Sequence, residues 1–361
     1  MEPTSHKIIF GSSVNMREVE SNSVNLVITS PPYPMIEMWD DMFGKMNNEI
    51  KDVLMTNRGN IAFELMHKEL DRVWTECYRV LKDGGILCVN IGDAVRTIEK
   101  DFILFPSHSR IISFCSKLNF SNLPNIIWRK TTNAPNKFMG SGMYPPGAYV
   151  TLEHEYILIF RKGKKREFKL NDEKRRRQES AYFWEERNSW FSDVWFGLQG
   201  TRQKLEDKKI RNRSAAYPFE LAIRLLLMFS IKGDTVLDPF LGTGTTMAAA
   251  MFAGRNSIGF EIEKSFLSAI NSKIGEVKDL SCRFLRERIT GHRDFLESRE
   301  GIKPAGYSNI FYDIPCISRQ ERKMKFHTIE SVDKKKSSAY LVKYKELTKE
   351  EFAEYYTNKL A

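Results

Sequence analysis

Ser30, Pro31, Pro32 and Tyr33 follow directly on the apolar run Leu26, Val27 and Ile28 and the residue Thr29. Two consecutive prolines can neither donate to a strand ladder nor continue a helix, so the chain must leave a sheet here with its carbonyls unpaired and fixed in direction. Carbonyls held that way can accept from an amino group. With a hydroxyl before them and an aromatic ring after them, the segment offers two acceptors for an NH₂ and a flat face for a planar ring. That is the chemistry of a nucleobase-amine pocket. An ordinary surface turn uses the same residue types, so the reading depends on what accompanies it.

The companion is residues 235–246, Thr-Val-Leu-Asp-Pro-Phe-Leu-Gly-Thr-Gly-Thr-Thr, which read as an apolar strand entering a glycine loop and then a helix over Met247 to Ala253, closed by Gly254. Gly242 and Gly244 let backbone approach a ligand, and the helix N-terminus offers free N–H groups to a carboxylate or phosphate. A second strand, Ser257 to Glu261, ends in an acid close to the spacing, about 20 residues on, at which a carboxylate reaches ribose hydroxyls. The unit is therefore adenosine-binding in design. A phosphate-loop NTPase would need Gly-Lys followed by Ser or Thr. Here Thr245 follows Gly244 and no lysine lies inside the loop, so nothing in it balances a triphosphate, whereas a zwitterionic methionine moiety needs no such cation.

Taken together, Ser-Pro-Pro-Tyr and the downstream Asp-Pro-Phe-x-Gly-x-Gly-Thr-Thr resemble the S-adenosylmethionine-dependent amino-methyltransferases of DNA, which modify cytosine N4 or adenine N6. Catalytic motif first, variable region second and cofactor motif last is similar to the beta class of that family, a circular permutation of the methyltransferase fold. Glu76 to Asp93 is similar to the family's helix, turn and strand after the catalytic loop. Ile126 to Lys130 and His154 to Lys162 look like its last two strands, and Tyr217-Pro218 opening Phe219 to Phe229 is similar to the segment before the cofactor strand. The resemblance implies an α/β, Rossmann-like fold with a mostly parallel seven-stranded sheet. It implies S-adenosylmethionine as cofactor, double-stranded DNA as substrate and a partner restriction endonuclease acting on the same site.

Residue by residue, the resemblance assigns catalysis to Ser30, Pro31, Pro32 and Tyr33, and cofactor binding to Asp238, Pro239, Phe240, Gly242, Gly244, Thr245, Thr246 and Glu261. Ser12 is added with a departure, since the family usually has an acid after the first glycine where this chain has Gly11-Ser12-Ser13. Arg213-Ser214 likewise replaces a usual His-Pro pair. Serine at the first position of the catalytic motif favours cytosine N4 in this family. Adenine N6 is the competing target, and a catalytically silent DNA-binding protein on the same fold is a more distant alternative.

Composition is in keeping with an enzyme of this kind. The 361 residues are 42% hydrophobic, enough for a sizeable core, and the net charge of +10 suits a polyanionic partner. Basic residues crowd two runs of the variable region. We expect Lys164, Lys165, Arg166, Arg175, Arg176 and Arg177, and then Lys208, Lys209 and Arg211, to meet phosphates, which position a duplex without reading it. The aromatic residues between those runs, from Tyr182 to Phe196, are expected mainly to pack.

The expected division is a catalytic and cofactor domain from 1–162 and 214–276, a target-recognition insertion over 163–213, and an appended α+β element over 277–361. Five cysteines form no Cys-x-x-Cys pair and six histidines show no ligand spacing, so neither disulfides nor a metal is expected. Pro315-Cys316 lies in the tail, outside any catalytic loop, and is read as structural. Without a leader pattern at the N-terminus or a long apolar stretch, the expected location is cytoplasmic, with no membrane partner.

Overall fold

A computed structural model describes residues 1–130, 139–141, 143–198, 217–299, 305–336 and 338–357; Lys208, Lys209 and Arg211 lie outside them. The chain divides into two compact units. One comprises Ser12–Lys165 and Asp193–Pro218, the other Met1–Gly11, Arg166–Ser192 and Phe219–Ala361.

In the first unit the Val24–Thr29 strand is buried along its whole length, as a strand covered on both faces must be. It pairs in parallel with Leu81–Ile91, Thr29 lying opposite Val89. Parallel strands need a crossover, and the Gly59–Val80 helix supplies it. Its apolar residues Ala62, Met66, Leu70, Val73, Cys77 and Val80 recur at helical spacing on one buried face. Arg79 in its last turn clamps Glu76 and donates to the Met16 and Val19 carbonyls, which fixes the loop leading into the buried strand. His154–Lys162 then adds antiparallel to Leu81–Ile91, and Ile126–Arg129 antiparallel to His154–Lys162.

In the second unit Thr235–Asp238 and Asn256–Glu261 run parallel, and the first strand of the chain, Thr4–Phe10, joins Asn256–Glu261 in parallel from the far end of the sequence. That pairing is the permutation expressed in hydrogen bonds. The Thr245–Ala253 helix between the first two strands is buried on every side, which its run of small and apolar residues allows. Four such strands in the first unit and three in the second are in keeping with the expected α/β, Rossmann-like fold.

The tail extends that sheet. Its hairpin, His327–Lys336 with Ala339–Glu346, adds antiparallel to Thr4–Phe10. The Val277–Glu297 helix carries Arg288, whose guanidinium holds both oxygens of Glu186 at 2.5 and 2.8 Å. Residues 166–192, part of the expected insertion, thus pack in one unit with the tail. Cys316 is buried in a short ladder with Tyr307, and burial pushes its thiol up to about 12. Among the described residues no helix is long and apolar enough to cross a membrane.

Candidate active site

The catalytic motif belongs to the first unit. Where the Val24–Thr29 strand ends, Ser30 is half-buried, Pro31 and Pro32 are buried and Tyr33 is half-buried. Met35, two residues on, sits at φ +65°, a left-handed conformation that a methionine adopts only when its surroundings force it. The parallel partner strand ends beside this one, bringing Asn90. The antiparallel strand beginning at His154 brings Glu155 to the same edge, because Tyr156 pairs with Ile91.

These side chains form one hydrogen-bonded set. Ser30 Oγ donates to the Tyr33 hydroxyl at 3.2 Å, and that hydroxyl donates to Glu155 Oε2 at 2.9 Å. Asn90 Nδ2 donates to both, at 2.9 Å to the Tyr33 oxygen and 2.7 Å to Glu155 Oε2. Lys130 Nζ holds the other carboxylate oxygen, Oε1, at 2.5 Å, and lies 4.9 Å from the Trp128 ring centroid. Burial, and then the Glu155 charge, hold the Tyr33 phenol well above its ordinary range, so it stays protonated. The direction of these bonds matters for Ser30. Its proton is committed to Tyr33, which leaves the Oγ lone pairs as acceptors. The Cε2 side of the Tyr33 ring lies against Gly92, where an added Cβ would stand 3.0 Å from Cε2. A larger residue there would have to push the ring aside.

The glycine loop belongs to the second unit. Asp238, at the end of its strand, accepts from the Phe240 amide at 3.0 Å and from Thr246 Oγ1 at 2.5 Å, so its carboxylate braces the loop against the helix that follows. Gly242 and Gly244 take φ of 53° and 82°, the left-handed turn that delivers the chain to the helix N-terminus. Glu261 at the end of the neighbouring strand accepts from the Gly242 amide at 2.8 Å and the Glu263 amide at 2.9 Å. Burial pushes its carboxyl up to about 7, those backbone amides holding it lower than burial alone would. Pro239 and Thr245 are buried, while Phe240 and Gly242 are partly open.

A cation absent from the loop itself arrives from outside it. Lys273, in the Leu267–Gly275 helix, donates to Thr245 Oγ1 at 2.7 Å and to Thr243 Oγ1 at 3.3 Å. The donor set suits a zwitterionic adenosyl ligand: a helix start, a lysine and a hydroxyl for a carboxylate, and a buried carboxylate one strand away for hydroxyls.

Other sequence-predicted residues fare differently. Ser12 is exposed, its Oγ 3.5 Å from the Val14 amide. Arg166 forms a two-pronged ion pair with Asp234 at 2.7 and 3.1 Å, Arg175 engages Asp172 and Glu179, and Arg176 engages Asp172. Arg177 lies 4.6 Å from the Phe168 ring centroid. Lys164 and Lys165 are exposed. Of the aromatic set, Phe183, Trp190 and Trp195 are buried, whereas Phe196 is 63% exposed. Sequence reasoning missed Asn90, Lys130, Glu155 and Lys273. The available signals were an acid opening an apolar strand, at Glu155, and a lysine one turn beyond Ile270 on the helix face that meets Gly244.

Glu185, His292 and Glu321 also cluster, with ligand-type atoms within 4.8 Å of one another. Hydrogen bonds account for the arrangement. His292 lies between Glu185 Oε1 at 2.8 Å and the Pro315 carbonyl at 3.0 Å, and Glu321 caps the Trp184 and Ser318 amides.

Comparison with known proteins gives the family. A family profile described as DNA methylase, covering the N6 and N4 methyltransferases, matches residues 24–272. The chain is 49% identical over 345 residues to the Type II methyltransferase M.MthZI of Methanothermobacter thermautotrophicus, covering 95% of this chain and 96% of that one. It is 53% identical over 283 residues to the Type II methyltransferase M.MjaI of Methanocaldococcus jannaschii, covering 75% and 92%. Among solved structures, it is similar to a Thermus thermophilus protein assigned as a DNA modification methylase and solved in complex with S-adenosyl-L-methionine. The TM-score is 0.58 at 32% identity, over 75% of this chain and 95% of that one.

Proposed function

Because the chain belongs to the N6/N4 family of DNA methylases, we propose that it transfers a methyl group from S-adenosylmethionine to the N4 amine of a cytosine flipped out of double-stranded DNA, in a restriction-modification pair. The observation that carries this reading is the Ser30 hydroxyl, whose proton is given to Tyr33 and whose lone pairs are left to accept.

An exocyclic amine is a poor nucleophile, because its lone pair is delocalised into the ring. Hydrogen bonds from the NH₂ to Ser30 Oγ and the Pro31 carbonyl draw the nitrogen toward tetrahedral geometry and localise that pair. As positive charge grows on nitrogen those bonds strengthen, so they stabilise the transition state more than the ground state. The Tyr33 ring receives the base. Stacking there, at about 1–3 kcal/mol, offsets much of the few kcal/mol that leaving the duplex costs. The cofactor, when bound, supplies an electrophilic methyl. The helix start after Gly244, with Thr245 and Lys273, holds its carboxylate. Glu261 holds its ribose, and Asp238 with Thr246 keeps the loop in shape.

The test is transfer of labelled methyl from S-adenosylmethionine to duplex DNA, followed by digestion to nucleosides and mass spectrometry. N4-methylcytosine is expected. N6-methyladenine would overturn the choice of base, and no transfer at all would favour a silent DNA-binding protein.

A further inference from the structure

The amine that receives a methyl group must lose a proton, and the hydrogen-bonded set around Ser30 has a direction. Each hydroxyl in it has one acceptor. Ser30 donates to Tyr33 and Tyr33 donates to Glu155, at 3.2 and 2.9 Å. The chain ends at a carboxylate whose far oxygen meets Lys130, a side chain 43% exposed, so the terminus lies beside solvent. Asn90, nine-tenths buried and more, bonds both Tyr33 and Glu155 through the same Nδ2 and holds the pair in register. Its Oδ1 is buried with no partner among the described residues, an open acceptor beside the set.

We propose that Glu155, acting through the Tyr33 hydroxyl, takes up the proton that the target amine gives up to Ser30. The proposal rests on the reading that Ser30 holds the amine, and it applies equally to cytosine N4 and adenine N6. The nitrogen lone pair forms the new N–CH₃ bond while the pair of the breaking S–CH₃ bond stays on sulfur, which becomes neutral. The nitrogen, now cationic, passes one N–H proton to Ser30 Oγ as the Ser30 proton moves to the Tyr33 oxygen and the Tyr33 proton moves to Glu155. A neutral methylamine and a protonated Glu155 result, and both hydroxyls are restored. Glu155 then releases its proton to water on the Lys130 side. Tyr33 accordingly has two duties, a ring for the base and a hydroxyl for the relay. Glu155 is a positioning and relay residue that need not touch the substrate.

The duties separate experimentally. Tyr33→Phe keeps the ring and removes the hydroxyl, and Glu155→Gln keeps the shape and removes the proton acceptor. Single-turnover methyl transfer to duplex DNA would be followed for the wild type, both variants and the double variant. Cofactor affinity by calorimetry and base flipping by 2-aminopurine fluorescence serve as binding readouts. The groups facing Glu155 are Tyr33, Asn90 and Lys130, with Trp128 under Lys130 and Tyr217 acting on Tyr33.

Each single variant should slow transfer roughly tenfold or more, with the binding readouts within about twofold of wild type. The double variant should be no slower than the worse single one, as expected for residues acting as a unit. Glu155→Asp, which keeps the proton acceptor, should recover part of the rate lost in Glu155→Gln. Wild-type turnover in Tyr33→Phe, multiplicative losses in the double variant, or a Glu155→Asp variant no faster than Glu155→Gln would each overturn the relay. Ser30→Ala is the control for the reading beneath it: wild-type turnover in that variant would remove the amine contact itself, whatever the relay variants did.

Discussion

At the scale of single residues, the chemistry depends on groups that hold others in place. Gly92 shows it without any charge. A methyl group there would meet the Tyr33 ring at 3.0 Å and Glu155 Cγ at 3.4 Å, so Gly92→Ala must push the Tyr33 ring or the Glu155 side chain aside. We expect it to cut turnover by about tenfold, the order that a misplaced catalytic group of under an ångström costs, while leaving cofactor affinity unchanged by calorimetry. Unchanged turnover would show that the ring is not held against Gly92. Glu261 offers a titration. Burial pushes its carboxyl up to about 7, and only the ionised form accepts fully from ribose hydroxyls. Cofactor affinity should therefore fall as pH drops through about 7, and Glu261→Gln should flatten the dependence while weakening binding at high pH. An affinity in the wild type that ignores pH across that range would place the ribose elsewhere.

Secondary-structure elements decide which of these residues meet. The strand ends at Ser-Pro-Pro-Tyr and at the glycine loop were legible in the sequence because each is a contiguous stretch whose backbone course follows from local residue chemistry. The helices at Phe219–Phe229 and Thr245–Ala253 were legible through periodicity and the glycine that stops the second. Asn90, Lys130 and Glu155 were not, because only strand pairing across 57 to 122 positions brings them to Ser30 and Tyr33. Lys273 was missed for the same reason, lying 28 positions from the threonine it meets. Charge in the basic run does not show that Arg166 is paired with Asp234. Packing of 166–192 against the tail also escaped the sequence, and it yields a prediction at this scale. His292 stacks on Phe183 with ring centroids 3.9 Å apart, facing Glu185, the Pro315 carbonyl and Glu321. Burial alone would lower its pKa, but the Glu185 carboxylate and the carbonyl outweigh it, and the net shift is upward from 6.5. A raised folded-state pKa means stability that is complete below 6.5 and lost as pH rises through the folded value. The gap in melting temperature between wild type and His292→Gln should thus be widest in mild acid and narrow above neutrality. A constant gap would mean that His292 is neutral in the folded protein.

On the scale of the whole molecule, the surplus of positive charge has to be divided between surface that meets DNA and surface that holds the protein together. Lys164 and Lys165 are exposed and without an ion pair among the described residues, whereas Arg166 is bound to Asp234. Lys164→Ala with Lys165→Ala should flatten the log-log dependence of DNA affinity on salt by roughly 0.9 for each phosphate left unneutralised. Arg166→Ala should leave that slope alone and instead lower the melting temperature, since it strands a buried carboxylate. A reversed pattern would exchange their roles.

The central claim is geometric, and a crystal structure of the protein with a duplex containing its target site and a non-reactive analogue of S-adenosylmethionine tests it most directly. We predict a cytosine outside the helix, its amine within hydrogen-bonding distance of Ser30 Oγ and the Pro31 carbonyl, its ring on Tyr33, and the analogue's carboxylate at the helix start after Gly244. A target base still stacked in the duplex, or an amine bound away from Ser30, would contradict the account.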